Sequence, residues 1–251
     1  MARACGVLAL LGQLGCSERN TEVVPGAGER PDSSTVIKPE LATFWLDARS
    51  GVDFREDGAA IWTDQSPAKH DAQQADPALR PDAGAWVDGV TLVPEFAATD
   101  SMSLPPLEFS GADGVVLFIL LRRFDTREGT PLLLSGGDGR APLGFHLLEP
   151  DGVAANLRGT RYEVERLLPA GSTALLTLRT GGDMAELRIN GVVAKRWNGP
   201  GAYDGTRSDN FLGLGFSGQL AFAALLTTAA PDDELARFER ALGVTWGCCA
   251  E

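Results

Sequence analysis

The run TALLTLRTGGDMAELRINGVVAKRW, Thr173 to Trp197, decides the fold. Its spacing predicts strands over 173–179, 184–189 and 192–197, the last two joined by Asn190-Gly191. Asn-Gly suits a two-residue type I′ turn, because both central positions need positive φ. Leu187 and Ile189 alternate with Glu186 and Arg188, which predicts one buried face and one wet face. Upstream, Gly114 to Arg123 (GVVLFILLRR) is almost continuously apolar and is expected to be a central strand covered on both sides. Further strand signals fall at 41–47, 60–64, 90–97, 102–104, 131–135, 143–148, 153–158 and 161–167, and again at 210–215 and 219–226.

One helix follows the last strand. Pro231 suits the first helical position, and Asp232, Asp233 and Glu234 place negative charge in the first turn, where the macrodipole favours it. Leu235, Phe238 and Leu242 form one apolar stripe, with Arg237, Glu239 and Arg240 expected to stay wet and Gly243 to end the helix. Many short strands and one terminal helix predict an all-β fold, a two-sheet antiparallel β-sandwich with a short C-terminal α-helix.

The chain has 251 residues, 44% apolar and 22% charged, with 30 glycines and 15 prolines spread along it. That is enough to bury one sizeable core. A net charge of -12 gives no phosphate-seeking surface, so nucleic acid is excluded as an expected partner. The segment 1–16 has a charged start and a short apolar core, too short to span a bilayer, and reads as a signal segment. Residues 17–40 are polar and rich in Pro, Gly and Ser, and read as a flexible tether. A single domain is expected over 41–247, with 248–251 as a frayed tail. Adjacent Cys248 and Cys249 are a poor disulfide pair, since neighbouring Cα atoms lie about 3.8 Å apart.

Three stretches carry a resemblance. The first is LATFWLDARSGV (41–52) with its Trp45-Leu46-Asp47; the second is IWTDQSPAKHDAQQ (61–74), with Trp62-Thr63-Asp64-Gln65-Ser66 and His70-Asp71-Ala72. The third is GQLAFAALLTTAAPDDELARFERALGVTWG (218–247). Together with Val93 to Phe96 and Met102-Ser103-Leu104, they resemble the concanavalin A-like, laminin-G-type jelly rolls of bacterial envelope and secreted proteins. The resemblance implies two packed sheets with a concave face and rim loops. The N-terminus looks like a bacterial lipoprotein signal, which would make Cys16 the lipid-modified residue; Gln13 departs from the leucine usual there. Within this frame Trp45, Trp62 and Trp246 read as core, Asp64 and Ser66 as a side-chain-to-backbone turn, and His70 as a local hydrogen-bonding group. Trp86 and Trp197 lie near strand ends and are the candidate ligand-binding aromatics.

Jelly-roll glucanases carry E-x-D-x-x-E on one strand. This chain has Glu149-Pro150-Asp151, which its proline and glycine make a turn, and Glu163-Val164-Glu165, which puts two carboxylates on one strand face. Glu163 and Glu165 are therefore the candidate catalytic pair, flanked by Arg161 and Arg166. The two histidines, His70 and His146, lack metal-ligand spacing. The resemblance implies calcium as the metal such modules sometimes hold through Asp and backbone oxygens; Asp100, Asp113 and Asp138 are the candidate ligands, although the chain has no D-x-D-x-D-G loop. The expected function is a non-catalytic recognition module of the bacterial cell envelope, lipid-anchored or secreted, which binds a glycan or an extracellular protein. The alternatives are a divergent polysaccharide hydrolase or lyase and a purely structural surface protein.

Overall fold

The computed structural model describes residues 37–111, 114–135, 142–157, 160–198 and 203–248. The signal segment with Cys16, most of the tether, Asp113, Asp138 and Cys249 lie outside the described residues. The chain opens with β1 (Ala42–Asp47), β2 (Val52–Arg55), β3 (Gly58–Trp62), β4 (Ala72–Gln73), β5 (Asp82–Ala85) and β6 (Leu92–Phe96). It continues through β7 (Met102–Leu104), β8 (Leu107–Gly111), β9 (Val115–Arg123), β10 (Gly129–Ser135), β11 (Leu143–Leu148) and β12 (Gly152–Leu157). Next come β13 (Thr160–Val164), β14 (Thr173–Gly181), β15 (Met184–Ile189), β16 (Val192–Asn198), β17 (Tyr203–Arg207), β18 (Asp209–Leu214) and β19 (Gly218–Leu226). Helix α1 (Asp232–Thr245) ends the sequence of elements.

The strands form two large antiparallel sheets. One runs β16-β15-β14-β9-β19-β6-β5, with β1 added on β19; the other runs β13-β12-β11-β10-β18-β7-β4-β3-β2. β17 and β8 form a separate two-stranded ribbon, hydrogen-bonded to neither large sheet. This is the expected antiparallel β-sandwich. Its first and last strands are partners: β1 pairs with β19 from Ala42↔Leu226 to Asp47↔Phe222. The apolar run of β9 sits between β14 and β19, fully inside its sheet, as the continuous hydrophobic pattern required. The alternate residues Leu117, Ile119 and Leu121 of β9, Leu176 and Leu178 of β14, and Leu132, Phe145, Val153 and Ala155 of the opposite sheet belong to one contiguous core.

The Asn190-Gly191 turn has φ of 52° and 80° at its two centres, the type I′ geometry read from the dipeptide. The Asn190 side chain also accepts a hydrogen bond from the Leu175 amide at 2.9 Å, tying the turn to the neighbouring strand. Asp64 behaves as its motif implied. One carboxylate oxygen accepts from the Trp45 and Ser66 amides (2.7 and 2.8 Å), the other from the Ser66 hydroxyl and the His70 amide (both 2.6 Å). His70 itself bonds the Thr43 carbonyl through Nδ1 at 2.9 Å.

Several expectations about the second sheet face fail for a shared reason. Helix α1 lies across the outer side of the β9–β14–β15–β19 sheet, with Phe238 set against Phe118 (5.0 Å), Trp45 (5.5 Å) and Phe222 (6.2 Å). The face expected to be wet is therefore covered, and Glu186, Arg188 and Glu239 are 1%, 8% and 3% exposed. Their charges are paired. Arg188 reaches both oxygens of Glu239 at 3.0–3.1 Å and Glu186 at 3.0 Å; Glu186 also receives Arg196 at 2.6 Å and Arg179 at 3.3 Å. Burial alone would raise the Glu186 carboxyl, but the hydrogen bonds from Arg196 and Arg188 prevail and hold it below its ordinary value. Burial prevails at Glu239 and pushes its carboxyl up despite Arg188.

Gly243 does not end the helix; it is buried within it. The stop comes at Gly247, whose φ of 61° lets the Cys248 amide return to the Gly243 carbonyl at 2.9 Å. Cys248 is accordingly packed against the core and is not frayed.

Candidate functional site

The two outer faces of the sandwich differ. One is covered by α1, whose Phe238 packs on Phe118; the outer face of the nine-stranded sheet presents the exposed Gln73 and Ser103 and the half-buried Leu133 and Phe211. Because side chains alternate, the residues between the core positions of these strands form continuous cross-strand rows. One row passes from Asn156 to Gly144, Leu133, Phe211, Ser103 and Gln73, each the direct partner of the next. It extends to Arg161 at one end, and through Ile61 to Asp53 at the other. A second row sets His146 beside Ala154 and Ala154 beside Glu163. Small residues at Gly144 and Ala154 keep the floor low, while Phe211 and Leu133 are half-buried and Gln73 and Ser103 exposed.

A cavity of about 440 Å³ opens at one corner of this face, where the turn between β11 and β12 meets β13. Glu163 and Glu165 both line it, so the structure brings the candidate catalytic pair to one site with Glu128, Glu149, Asp151 and the flanking arginines Arg161 and Arg166. Glu163 is bound to Arg161 at 2.9 Å, with about half of its side chain exposed. His146 stands beside the cavity, its Nδ1 2.8 Å from the Thr130 hydroxyl and its Nε2 3.4 Å from Glu128. Burial, then the positive charge of Arg161, hold this imidazole below its ordinary value. A second cavity, about 350 Å³, lies further along the same face and is lined by Lys69, Asp71, Gln73 and Ser103.

Beneath the corner cavity sits Arg123, 1% exposed. Its guanidinium donates to the carbonyls of Asp125 (2.6 Å), Leu168 (3.1 Å), Arg127 (2.9 Å) and Leu148 (3.0 Å). It thereby ties together three loops, including the β11–β12 turn that forms the cavity wall. Sequence reading treated it only as the end of an apolar strand; a charge at the close of a buried run was the available signal.

The candidate aromatics are not on the open face. Trp86 is 2% exposed, its indole N–H donating to the Trp246 carbonyl at 2.9 Å with the two rings 5.7 Å apart, so it offers no exposed platform. The expectation erred because the hairpin bearing Trp86 docks against the end of α1, far away in sequence. Trp197 is half-buried and meets Tyr162 at 4.8 Å, bridging the edge strands β16 and β13 of opposite sheets. Asp100 is 8% exposed, and its carboxylate caps the Ala97–Asp100 turn by accepting from the Ala97 amide at 2.7 Å. Among the described residues no group of three or more His, Cys, Asp or Glu converges to hold a metal ion. No described helix is long and apolar enough to cross a membrane.

No protein-family model matches the sequence. No curated protein matches it either. Solved structures do. The binding domain of Paraclostridial Mosquitocidal Protein 1 matches with a TM-score of 0.59 at 12% identity, over 83% of this chain and 55% of that one. Trypanosoma rangeli sialidase in complex with the inhibitor DANA gives 0.54 at 12% identity, over 78% of this chain and 32% of that one. The binding domain of Botulinum Neurotoxin serotype G gives 0.51 at 8% identity, over 82% and 54%. The chain thus spans about half the length of the two toxin domains and a third of the sialidase. At these identities the likeness shows a common fold, and the chain shares the β-sandwich architecture of these binding domains.

Proposed function

We propose that this protein is an extracytoplasmic recognition module that binds a glycan on the uncovered face of its nine-stranded sheet without reacting with it. The observation that carries this reading is the asymmetry of the sandwich: α1 covers one outer face, and an amphipathic floor occupies the other. The half-buried Phe211 ring beside Leu133 offers an apolar strip to the C–H face of a sugar. Asn156, His146, Gln73 and Ser103 add directional donors and acceptors, the mixture expected of a small-molecule site. The toxin binding domains of like fold support a binding role, and the sialidase of like fold supports a sugar as the ligand. In the same proposal the concanavalin A-like frame names the kind of sandwich, Cys16 carries a lipid, and the tether holds the domain off the bacterial envelope.

The test is a glycan array probed with the full chain and with Phe211→Ala and Asn156→Ala. Selective binding that both substitutions weaken supports the reading. Silence across the array, or binding indifferent to both changes, overturns it. Anchoring is tested separately, since Cys16→Ala should move the protein from the membrane fraction to the soluble fraction. The hydrolase or lyase alternative keeps one supporting observation, that Glu163 and Glu165 line the same cavity. Release of reducing ends from a polysaccharide, abolished by Glu163→Gln, would establish it in place of the binding role.

A further inference from the structure

Among the described residues, two cavities lie along the outer face of the nine-stranded sheet, and their separation and charge restrict what fits. Glu163 on β13 belongs to the corner cavity and Gln73 on β4 to the second. Six inter-strand steps separate these strands in the sheet order. At about 4.8 Å per step the two sites stand roughly 29 Å apart. A single sugar or a disaccharide reaches only one of them. The residues between, from Asn156 through Gly144, Leu133 and Phe211 to Ser103, form one cross-strand row on the face that carries both cavities.

The charge is as informative as the span. Five carboxylates and two guanidiniums line the corner cavity, and one of those guanidiniums is already bound to Glu163. The whole chain carries a net charge of -12. A polyanion would meet like charge in the cavity and in the field around it, whereas a cationic ligand is drawn in. A peptide fits this face poorly. Backbone N–H and C=O groups in the interior of the sheet are already paired strand to strand, so a peptide main chain finds no partners there, unlike at a sheet edge. Sugar hydroxyls and amines bond side chains, which this face does supply.

Resting on the recognition role above, we infer that the ligand is an extended polymer of amino sugars, laid across the strands so that it fills both cavities at once. The corner carboxylates receive its ammonium groups, and the Lys69–Ser103 cavity receives the other end of the same chain.

Calorimetry of the full chain against glucosamine oligomers from disaccharide to octasaccharide tests this at mildly acidic pH, where the amines are protonated. N-acetylated oligomers, oligogalacturonate and oligolysine serve as comparison ligands. Affinity should rise at least tenfold from the shortest oligomer to the longest. The doubles Glu163→Gln/Glu165→Gln and Gln73→Ala/Ser103→Ala should each weaken octasaccharide binding about tenfold, an ordinary loss for central contacts. Circular dichroism checks that these surface substitutions keep the fold. A flat length dependence overturns the spanning mode while leaving glycan recognition standing. Equal or tighter binding of oligogalacturonate overturns the amino-sugar assignment, and preference for oligolysine overturns the polysaccharide. Silence toward every sugar here and on the array overturns both this inference and the function it rests on.

Discussion

Replacing Arg188 by Met and Glu239 by Leu, singly and together, tests whether α1 is locked onto the sandwich by a buried ion pair. The side chains are 9% and 2% exposed, with N···O contacts of 3.0 Å, so neither charge has water to fall back on. Removing one member leaves the other uncompensated, and such losses run at 3–5 kcal/mol. The lower end, about 3 kcal/mol for each single, is expected, because Arg188 retains Glu186 when Glu239 is gone. The double replaces the pair with apolar groups of similar volume, a change that is often close to neutral, so it should lose no more than about 3 kcal/mol where additivity would give about 6; the coupling is then at least about 3 kcal/mol. Urea unfolding at neutral pH, followed by tryptophan fluorescence, measures all four corners. Trp45 touches Phe238 of the helix and reports its docking. A double mutant additive to within about 0.5 kcal/mol would refute the pairing.

Three further outcomes follow from single residues. Asp64→Ala removes an acceptor serving four donors at a fully buried position and should cost about 4 kcal/mol, lowering the melting temperature by roughly 10 °C; an unchanged melting curve would contradict the hub geometry. Asn190→Ala leaves φ of 52° to a residue without the short polar side chain that eases the left-handed region and deletes the bond to the Leu175 amide, for about 2 kcal/mol in chemical denaturation; equal stability would mean the turn is not type I′. Burial depresses the His146 imidazole in the folded chain, so the unfolded chain takes up the proton first. Its contribution is present above the unfolded value of about 6.5 and is lost as pH falls through the lower folded value. His146→Leu should therefore flatten the decline of stability on acidification, and parallel curves for the two proteins would show that His146 plays no part in it.

What the sequence conveyed was local. Alternation and turn chemistry placed Met102–Leu104, Leu143–Leu148 and Met184–Ile189 at their observed limits. The W-T-D-Q-S motif held its own hydrogen-bond logic. Short strands without apolar alternation escaped, such as β5 with Asp-Ala-Gly-Ala, because their pairing is set by a partner strand and not by their own pattern. Glu186, Arg188 and Glu239 were read as wet because periodicity reports one buried face and cannot report a helix arriving from 40 or more positions away to cover the other. Arg123 and Trp86 share this blindness, their partners being loop carbonyls and a helix end assembled only in the fold. The open face was equally hidden, since its row joins residues from nine strands, each contributing a side chain or two.

The union of β1 with β19 has a consequence for biogenesis. The Ile37 amide meets the Glu234 carboxylate across 197 positions, and no strand in that first pairing has its mate until nearly all of the polypeptide has been made. Contacts of such long range must close a long loop before they form, and they slow folding. Until then β9, the most continuously apolar strand, lacks the β19 partner that walls one of its sides.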